Sequence, residues 1–583
     1  MVTLIETPTR LVVTGTAGEL SRLKAEFRYH PKNYFRSDAY QLWKMTGGER
    51  GWDGFRYPLS LKTDTAGEIL RGRKEELLAK CEQFQFPCDT SKCLKSPFKP
   101  DLSIADIPDD LIDADFRLDV NQKGAIVEWL KHGMGIANMA VNSGKTATFA
   151  AAAAYIKRHF PEARFLYFTY AERLVKQVME AMTTFLPDWS ITQYGGGGKR
   201  DMTGRDIVIA TQAILNRNFQ WLEREGFFKS FHALLLDESH HCQAPSAEKV
   251  LRASSAYFRL AASDSLKESD PDKFNRIAGL CGPVLCQVSS STMIEQSRSA
   301  APQLYLVDIP EWTNKFRHVS HEVQERSVAW TLVDNQWVKG TYIGPVPLLD
   351  AKGERQYKNQ RKLVGDKYVT ERVLVTKPTV HLLDINGQQQ EVLARSTLLD
   401  RRYDRAIIRF KERNKLICDW AKYYADKGWN TVVVATRTTH VLILESLLAP
   451  LIPGKVRSLY GEASTPQRNE AFGWFKRTKG AVLVTPLIKE GVSINEIKAG
   501  VIADPVADWE VAKQIIGRFM RKKRDTDLCH ITWFVDRQHP KYLKNVSDLM
   551  GKLEEIEGFT FYHPVAGPET IPQALIHKGK AAE

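Results

Sequence analysis

The sequence of 583 residues predicts an α/β protein with two tandem parallel sheets, a small N-terminal α/β module ahead of them and a β-rich insertion. Two series of short apolar runs carry the prediction. The first comprises Phe165-Leu166-Tyr167-Phe168, Ile207-Val208-Ile209-Ala210 and Ala233-Leu234-Leu235-Leu236; the second comprises Thr431-Val432-Val433-Val434-Ala435, Ala481-Val482-Leu483-Val484 and Gly500-Val501-Ile502-Ala503. Continuous runs of strand length, separated by longer helical stretches, suit strands buried on both faces. The third observation is an asymmetry: Asn142-Ser143-Gly144-Lys145-Thr146 opens the first series, and the second has no such loop. Two like sheets with one phosphate-loop pattern imply a nucleotide held in a cleft.

Residues 1–105 form the N-terminal module, with strand-like Arg10-Leu11-Val12-Val13-Thr14, a helix around Gly18 to Phe27, and an aromatic, basic segment from Tyr29 to Tyr57. Residues 106–300 form the first sheet domain and residues 301–583 the second. Within the latter, residues from about 326 to 400 change character. Val328-Ala329-Trp330-Thr331-Leu332-Val333, Tyr342-Ile343, Tyr368-Val369, Arg372-Val373-Leu374-Val375 and Thr379-Val380-His381-Leu382-Leu383 read as short strands broken by Gly, Pro and Asp-rich turns.

At the head of a helix, Gly-Lys-Thr presents backbone N–H groups to phosphate oxygens, the Lys145 ammonium to the β/γ-phosphates and the Thr146 hydroxyl to Mg²⁺. Ala147 to Ile156, free of Gly and Pro, supplies the helix. Met139 stands in place of the first glycine of G-x-x-x-x-G-K-[ST], so the loop alone also reads as an ordinary strand-to-helix turn. Asp237-Glu238-Ser239-His240 favours the phosphate reading. It follows the run ending at Leu236, so Asp237 emerges where it can hold Mg²⁺ through water and Glu238 where it can orient an attacking water. Two solvated acids after a core strand would leave the phosphate loop at single-domain distance unexplained.

A net charge of +13 favours a polyanionic partner without selecting one, and 43% hydrophobic residues suffice for packed cores, which excludes a disordered chain. Among eight cysteines, Cys81, Cys88 and Cys93 cluster without a C-x-x-C pair or a nearby His, so reduced structural thiols are expected rather than zinc. No apolar run approaches the length of a membrane span, and Met1-Val2-Thr3-Leu4-Ile5-Glu6 lacks the build of a signal peptide; a reducing cytoplasm and no membrane partner are expected.

In the second domain, Gln514-Ile515-Ile516-Gly517-Arg518-Phe519-Met520-Arg521 supplies Q-x-x-G-R-x-x-R, whose arginines can reach a γ-phosphate and make hydrolysis depend on domain closure. With this motif the chain resembles superfamily 2 helicases and translocases over most of residues 115 to 540. The resemblance implies two RecA-like domains, ATP and Mg²⁺ as cofactors, and catalytic roles for Lys145, Asp237, Glu238, His240, Gln514, Arg518 and Arg521. It also implies a nucleotide cradle of Arg117, Gln122, Asn142, Ser143, Gly144, Lys145 and Thr146, with Gln122 reading the adenine edge and Arg117 over the base. Ser263-Asp264-Ser265 stands where the coupling motif is normally Ser-Ala-Thr or Thr-Ala-Thr. Leu174 and Gln177, Thr211-Gln212, Thr436-Arg437, Gly461 and Arg468, and Thr485 with Glu490-Gly491-Val492 resemble other motifs of the superfamily. Thr211, Arg437 and Thr485 are candidates for gripping a nucleic-acid backbone, each with an equal reading as a structural hydroxyl or surface charge.

Gln122-Lys123, the Leu-x-x-Gln at 174 to 177, Gly195 to Gly198, Ser265-Leu266-Lys267 and Trp533-Phe534-Val535-Asp536 narrow the resemblance to the phage UvsW branch-migration helicases. So do Tyr34-Phe35-Arg36 and Gly51-Trp52-Asp53-Gly54-Phe55-Arg56 in the N-terminal module; the insertion departs from that pattern. The implied partner is branched DNA, with branch migration, unwinding and annealing as outcomes. Trp52 and Arg56 would bind it by stacking and charge, and an aromatic core with a solvated rim is the equal reading. The insertion would meet DNA, meet recombination or replication proteins, or decorate the hinge. An RNA helicase, a restriction-type or defence translocase and a non-catalytic DNA-binding scaffold are the alternatives. The Trp-Asp-Gly module opposes the first, the lack of a nuclease constellation the second, and Lys145, Asp237, Glu238, Arg518 and Arg521 the third.

Overall fold

Alternation of buried and outward residues in Val2–Glu6 and Arg10–Thr14 makes an antiparallel pair with Val2, Leu4, Leu11 and Val13 inward. In the computed structural model this pair lies within a five-stranded sheet ordered Ser60–Thr63, Ala66–Leu70, Arg10–Thr14, Val2–Glu6, Cys88–Lys92. The helices Ala17–Glu26 and Lys74–Gln83 close its core through Leu20, Leu23, Leu77 and Cys81. Thr16 and Glu19 form a reciprocal capping box that fixes where the first helix begins.

The structure describes residues 1–113, 117–170, 172–195, 202, 204–264, 266, 270–309, 403, 407–460, 463–486, 497–506, 509–521, 523, 527–535, 549–554, 559–565 and 567–568, together with the strand backbones within 328–393. The chain divides into two units, Met1–Ser299 and Ala300–Glu583.

The first unit joins the N-terminal sheet to a parallel one. Arg71, 2% exposed, pairs with Glu6 at 2.7 Å and donates to the Tyr257 carbonyl at 2.7 Å, so a buried ion pair fastens the module to the parallel-sheet domain. The Tyr29 hydroxyl adds a bond of 2.9 Å to Asp272 in the first turn of the helix Pro271–Cys281. The parallel sheet runs Val284–Val288, Met134–Met139, Phe258–Ser263, Ala233–Leu236, Phe165–Thr169, Ile207–Thr211, Ile191–Tyr194. Its central strands are buried along their whole length, as the continuous apolar runs require. The helices Val120–His132 and Lys145–His159 meet through stacked Trp129 and Phe149 rings, 5.3 Å apart.

The second unit contains a parallel sheet ordered Val456–Ser458, Val482–Thr485, Thr431–Val434, Ala499–Ile502, Leu528–Val535, Ala301–Asp308, Thr560–Val565. Trp420, Tyr424, Val433, Val501 and Phe534 share its core. The two sheet domains are RecA-like in architecture, as expected. Ala301–Asp308 precedes the insertion in the chain and nevertheless pairs with Leu528–Val535, so the insertion interrupts this domain. The insertion comprises an antiparallel sheet ordered Val328–Val333, Gln336–Pro347, Thr376–Leu383, Gln389–Leu393 and a hairpin of Tyr357–Val364 with Lys367–Leu374.

Candidate functional site

The strand Met134–Met139 runs directly into the loop of Asn142-Ser143-Gly144-Lys145-Thr146. Met139 is the last strand residue and fully buried, so its side chain belongs to the core and the loop starts only after it. Asn142 and Gly144 both take left-handed backbone conformations, at φ +69° and +81°. Asn tolerates that region better than most side chains, which accounts for the absence of a glycine there. Gly144 caps the helix Lys145–His159, and the buried Ser143 hydroxyl has no hydrogen-bond partner among the described residues. The helix is placed by Ala147, Ala150, Ala151, Ala152 and Ala153, all buried, whose small side chains permit close packing.

Gln122 is 0% exposed, and its side chain is engaged within the protein. Its carboxamide oxygen accepts from the Asp119 amide, completing a capping box, while its nitrogen donates to the Ser143 carbonyl at 3.0 Å. Arg117, nearby in sequence, is exposed.

Parallel pairing of Ala233–Leu236 with Phe165–Thr169 brings Asp237 to the end of the sheet beside Tyr167, whose hydroxyl donates to Asp237 Oδ2 at 2.9 Å. Burial pushes the Asp237 carboxyl above its ordinary range; Lys145, the Tyr167 hydroxyl and the Glu238 amide oppose that push, and the Asp264 charge adds to it. Tyr167 also hydrogen-bonds Thr146, tying the two oxygen donors of the expected Mg²⁺ site to one phenol. Glu238 takes a left-handed backbone at φ +49°, and its carboxylate lies 3.7 Å from Lys145 Nζ. A non-glycine residue in that conformation is strained, and such strain collects where a side chain must be aimed. His240 Nδ1 meets the Ser263 hydroxyl at 2.9 Å, linking the acidic motif to the coupling triplet.

Two further residues enter the site. Asp264, 4% exposed, places Oδ2 3.8 Å from Lys145 Nζ. In the sequence it is the middle residue of the triplet Ser263-Asp264-Ser265, where the superfamily's coupling motif normally has alanine. Tyr167 carried no local signal, because its place follows from strand order. His241 stacks on Tyr170 at 3.8 Å, and burial holds its ring down to about 4.

In the second unit, Gln514 and Arg518 lie on the helix Trp509–Phe519 and Arg521 just beyond it. Burial, reinforced by the neighbouring Arg518 charge, holds the Arg521 guanidinium down to about 10. Arg437 is exposed at the head of the helix Thr438–Leu448, with its guanidinium 5.7 Å from the Tyr403 ring centre. Thr485 is buried at its strand end. Thr211 accepts from the Ile214 amide as a helix cap and lines a cavity of about 290 Å³ with Lys176, Gly195 and Arg217. Trp52 is half-buried: its indole N–H donates to the Phe55 carbonyl at 2.7 Å, and the exposed Arg56 lies 5.3 Å from its ring centre. Gly196 to Gly198, Ser265, Lys267, Gly461, Glu490-Gly491-Val492 and Asp536 lie outside the described residues.

The arrangement can take a polyphosphate: a turn of backbone amides, an ammonium, and oxygen donors suited to a hard cation surround one point. A family described as the type III restriction enzyme res subunit matches residues 115–263, and the helicase conserved C-terminal domain matches residues 412–523. Solved structures similar to the chain include T4 UvsW, 16% identical over 96% of this chain and 98% of that one with a TM-score of 0.40. S. cerevisiae Dbp5 bound to RNA and ADP BeF3 is 11% identical over 76% and 94%, TM-score 0.44. The type ISP restriction-modification enzyme LlaBIII bound to DNA is 11% identical over 78% and 32%, TM-score 0.49. No curated protein matches the chain in sequence. Among the described residues no helix is long and apolar enough to cross a membrane. A match to the type III restriction enzyme res subunit followed by a match to the helicase conserved C-terminal domain supports an ATP-dependent helicase of superfamily 2.

Proposed function

We propose that the protein is a DNA motor that remodels branched DNA by branch migration, unwinding and annealing. The observation that carries the ATP part is the convergence on Lys145 of the phosphate loop, Glu238 and Asp264 at one end of the first parallel sheet. Lys145 and the loop amides bind the β/γ-phosphates, and the partnerless Ser143 hydroxyl is a donor the phosphate chain can satisfy. The buried Asp237 carboxylate and the Thr146 hydroxyl, joined through Tyr167, are hard oxygen donors that fit Mg²⁺. When bound, Mg²⁺ draws charge from the transferred phosphoryl group. Glu238 orients the water, and His240 relays the state of the acidic motif to Ser263. Gln514, Arg518 and Arg521 are assigned to the γ-phosphate by the resemblance.

The DNA part is supported by the N-terminal module, where Lys32, Arg36, Lys44, Arg50 and Arg56 are exposed and Phe35 is 49% exposed. Exposed cations interleaved with an open aromatic ring suit a polyanion with stackable bases. Thr211, Arg437 and Thr485 are assigned to the backbone grip, and the insertion to a recombination or replication partner.

The test measures ATP hydrolysis with no polymer, single-stranded DNA, duplex DNA, a four-way junction and structured RNA, beside Lys145→Ala and Glu238→Gln. Junction-stimulated turnover abolished by both substitutions is expected. Stimulation by RNA alone would overturn the DNA reading, and absence of turnover with every polymer would leave a binding scaffold.

A further inference from the structure

Among the described residues, the Glu238 and Asp264 carboxylates lie 3.7 and 3.8 Å from Lys145 Nζ, and they differ in freedom. Glu238 is 23% exposed in its side chain, whereas Asp264 is 5% exposed and follows the end of the buried strand Phe258–Ser263. Of the two, Glu238 is the one whose side chain reaches solvent. Asp264 has less room to withdraw, because its side chain is buried at the end of a strand that is itself buried along its whole length. A fixed carboxylate 3.8 Å from the ammonium competes with phosphate oxygens for the same charge and repels them when they arrive.

We infer that Asp264 is a built-in rival of the nucleotide's terminal phosphates, a residue that weakens ATP and ADP binding and speeds their release by pairing with Lys145. This rests on the reading of the site as an ATP site. The rivalry applies to both nucleotides because Lys145 is assigned to β- as well as γ-phosphate, and it favours a motor that must discard ADP each cycle.

The experiment uses the full-length chain and a fluorescent ATP and ADP titrated with Mg²⁺, with stopped-flow dissociation rates, for the wild type, Asp264→Ala and Asp264→Asn. Both variants are expected to bind both nucleotides more tightly, by about five- to tenfold, chiefly through slower dissociation. Thermal unfolding selects the folded variant if alanine is not tolerated, since asparagine keeps the shape and removes only the charge. Equal or weaker binding by a folded variant overturns the inference, because a residue that supports the site or its cation would lose affinity on substitution. Failure of the wild type itself to bind either nucleotide overturns the ATP reading and this inference together.

Discussion

The Gln122 carboxamide donates to the Ser143 carbonyl at 3.0 Å while its oxygen accepts from the Asp119 amide at 2.9 Å, so one buried side chain joins a helix start to the phosphate loop. Gln122→Ala removes both bonds and leaves buried groups unsatisfied, at a cost of about 1–3 kcal/mol. The loosened loop should then bind ATP and GTP more weakly by similar factors. A glutamine that reads only the adenine edge would instead lose discrimination between ATP and GTP with stability unchanged. Thermal unfolding and titration with both nucleotides separate the two.

Gly72 sits so close to the helix Pro271–Cys281 that an added Cβ would lie within 2.8 Å of the Gly279 carbonyl and nearer still to that of Ala278. Backbone atoms cannot rotate away, so Gly72→Ala should push the N-terminal module off its seat and disturb the adjoining Arg71–Glu6 pair. Limited proteolysis is the measurement. Cleavage between the module and the parallel-sheet domain should accelerate at least about tenfold, which corresponds to about 1.4 kcal/mol. Unchanged protection would mean that the docking is looser than this packing implies.

The central strands were legible because burial on both faces leaves an uninterrupted apolar run, as in Ala233–Leu236 and Thr431–Val434. The strand Ala301–Asp308 was not, since its partner Leu528–Val535 lies far along the chain and pairing order leaves no local trace. The same holds for Tyr167 and Asp264, whose places at the site follow from which strands are neighbours. In the insertion, Tyr357–Val364 and Gln389–Leu393 went unread because their lysines, arginines and glutamines break the apolar pattern. The left-handed turn at Asn142, which asparagine accepts, left no mark in the sequence beyond the residue itself.

A buried His440–Asp504 pair, at 2.5 Å, holds the start of the Arg437 helix: Asp504 also accepts from the Thr436 amide and hydroxyl, and His440 meets Asn414 Oδ1 at 3.0 Å. Burial alone would push the Asp504 carboxyl up; the His440 charge and the hydrogen bonds from His440 and Thr436 outweigh it and hold the carboxyl well below its ordinary range. Asp504→Asn should destabilise the second unit by about 3–5 kcal/mol at neutral pH. Because the folded value is depressed, the wild type's advantage is complete above the unfolded carboxylate value of about 3.9 and fades as pH falls below it. Hydrogen exchange of residues 431–440, followed against pH, is the check. A difference that persists undiminished at pH 3 would assign the effect to packing and not to charge.

Trp52 and Arg56 separate structure from contact within the N-terminal module. The Trp52 indole N–H is spent on the Phe55 carbonyl, whereas Arg56 is exposed with its guanidinium 5.3 Å from the Trp52 ring centre. Trp52→Ala should therefore lower the unfolding temperature of the module, through loss of a half-buried ring and its hydrogen bond. Arg56→Ala should leave that temperature unchanged. If the module contacts DNA phosphates, Arg56→Ala should also reduce the slope of log affinity against log salt by about 1. Binding to a four-way junction between low and moderate salt reads that slope directly. An unchanged slope for Arg56→Ala would place the phosphate contact elsewhere, with the exposed Arg36 and Arg50 as the next positions to replace.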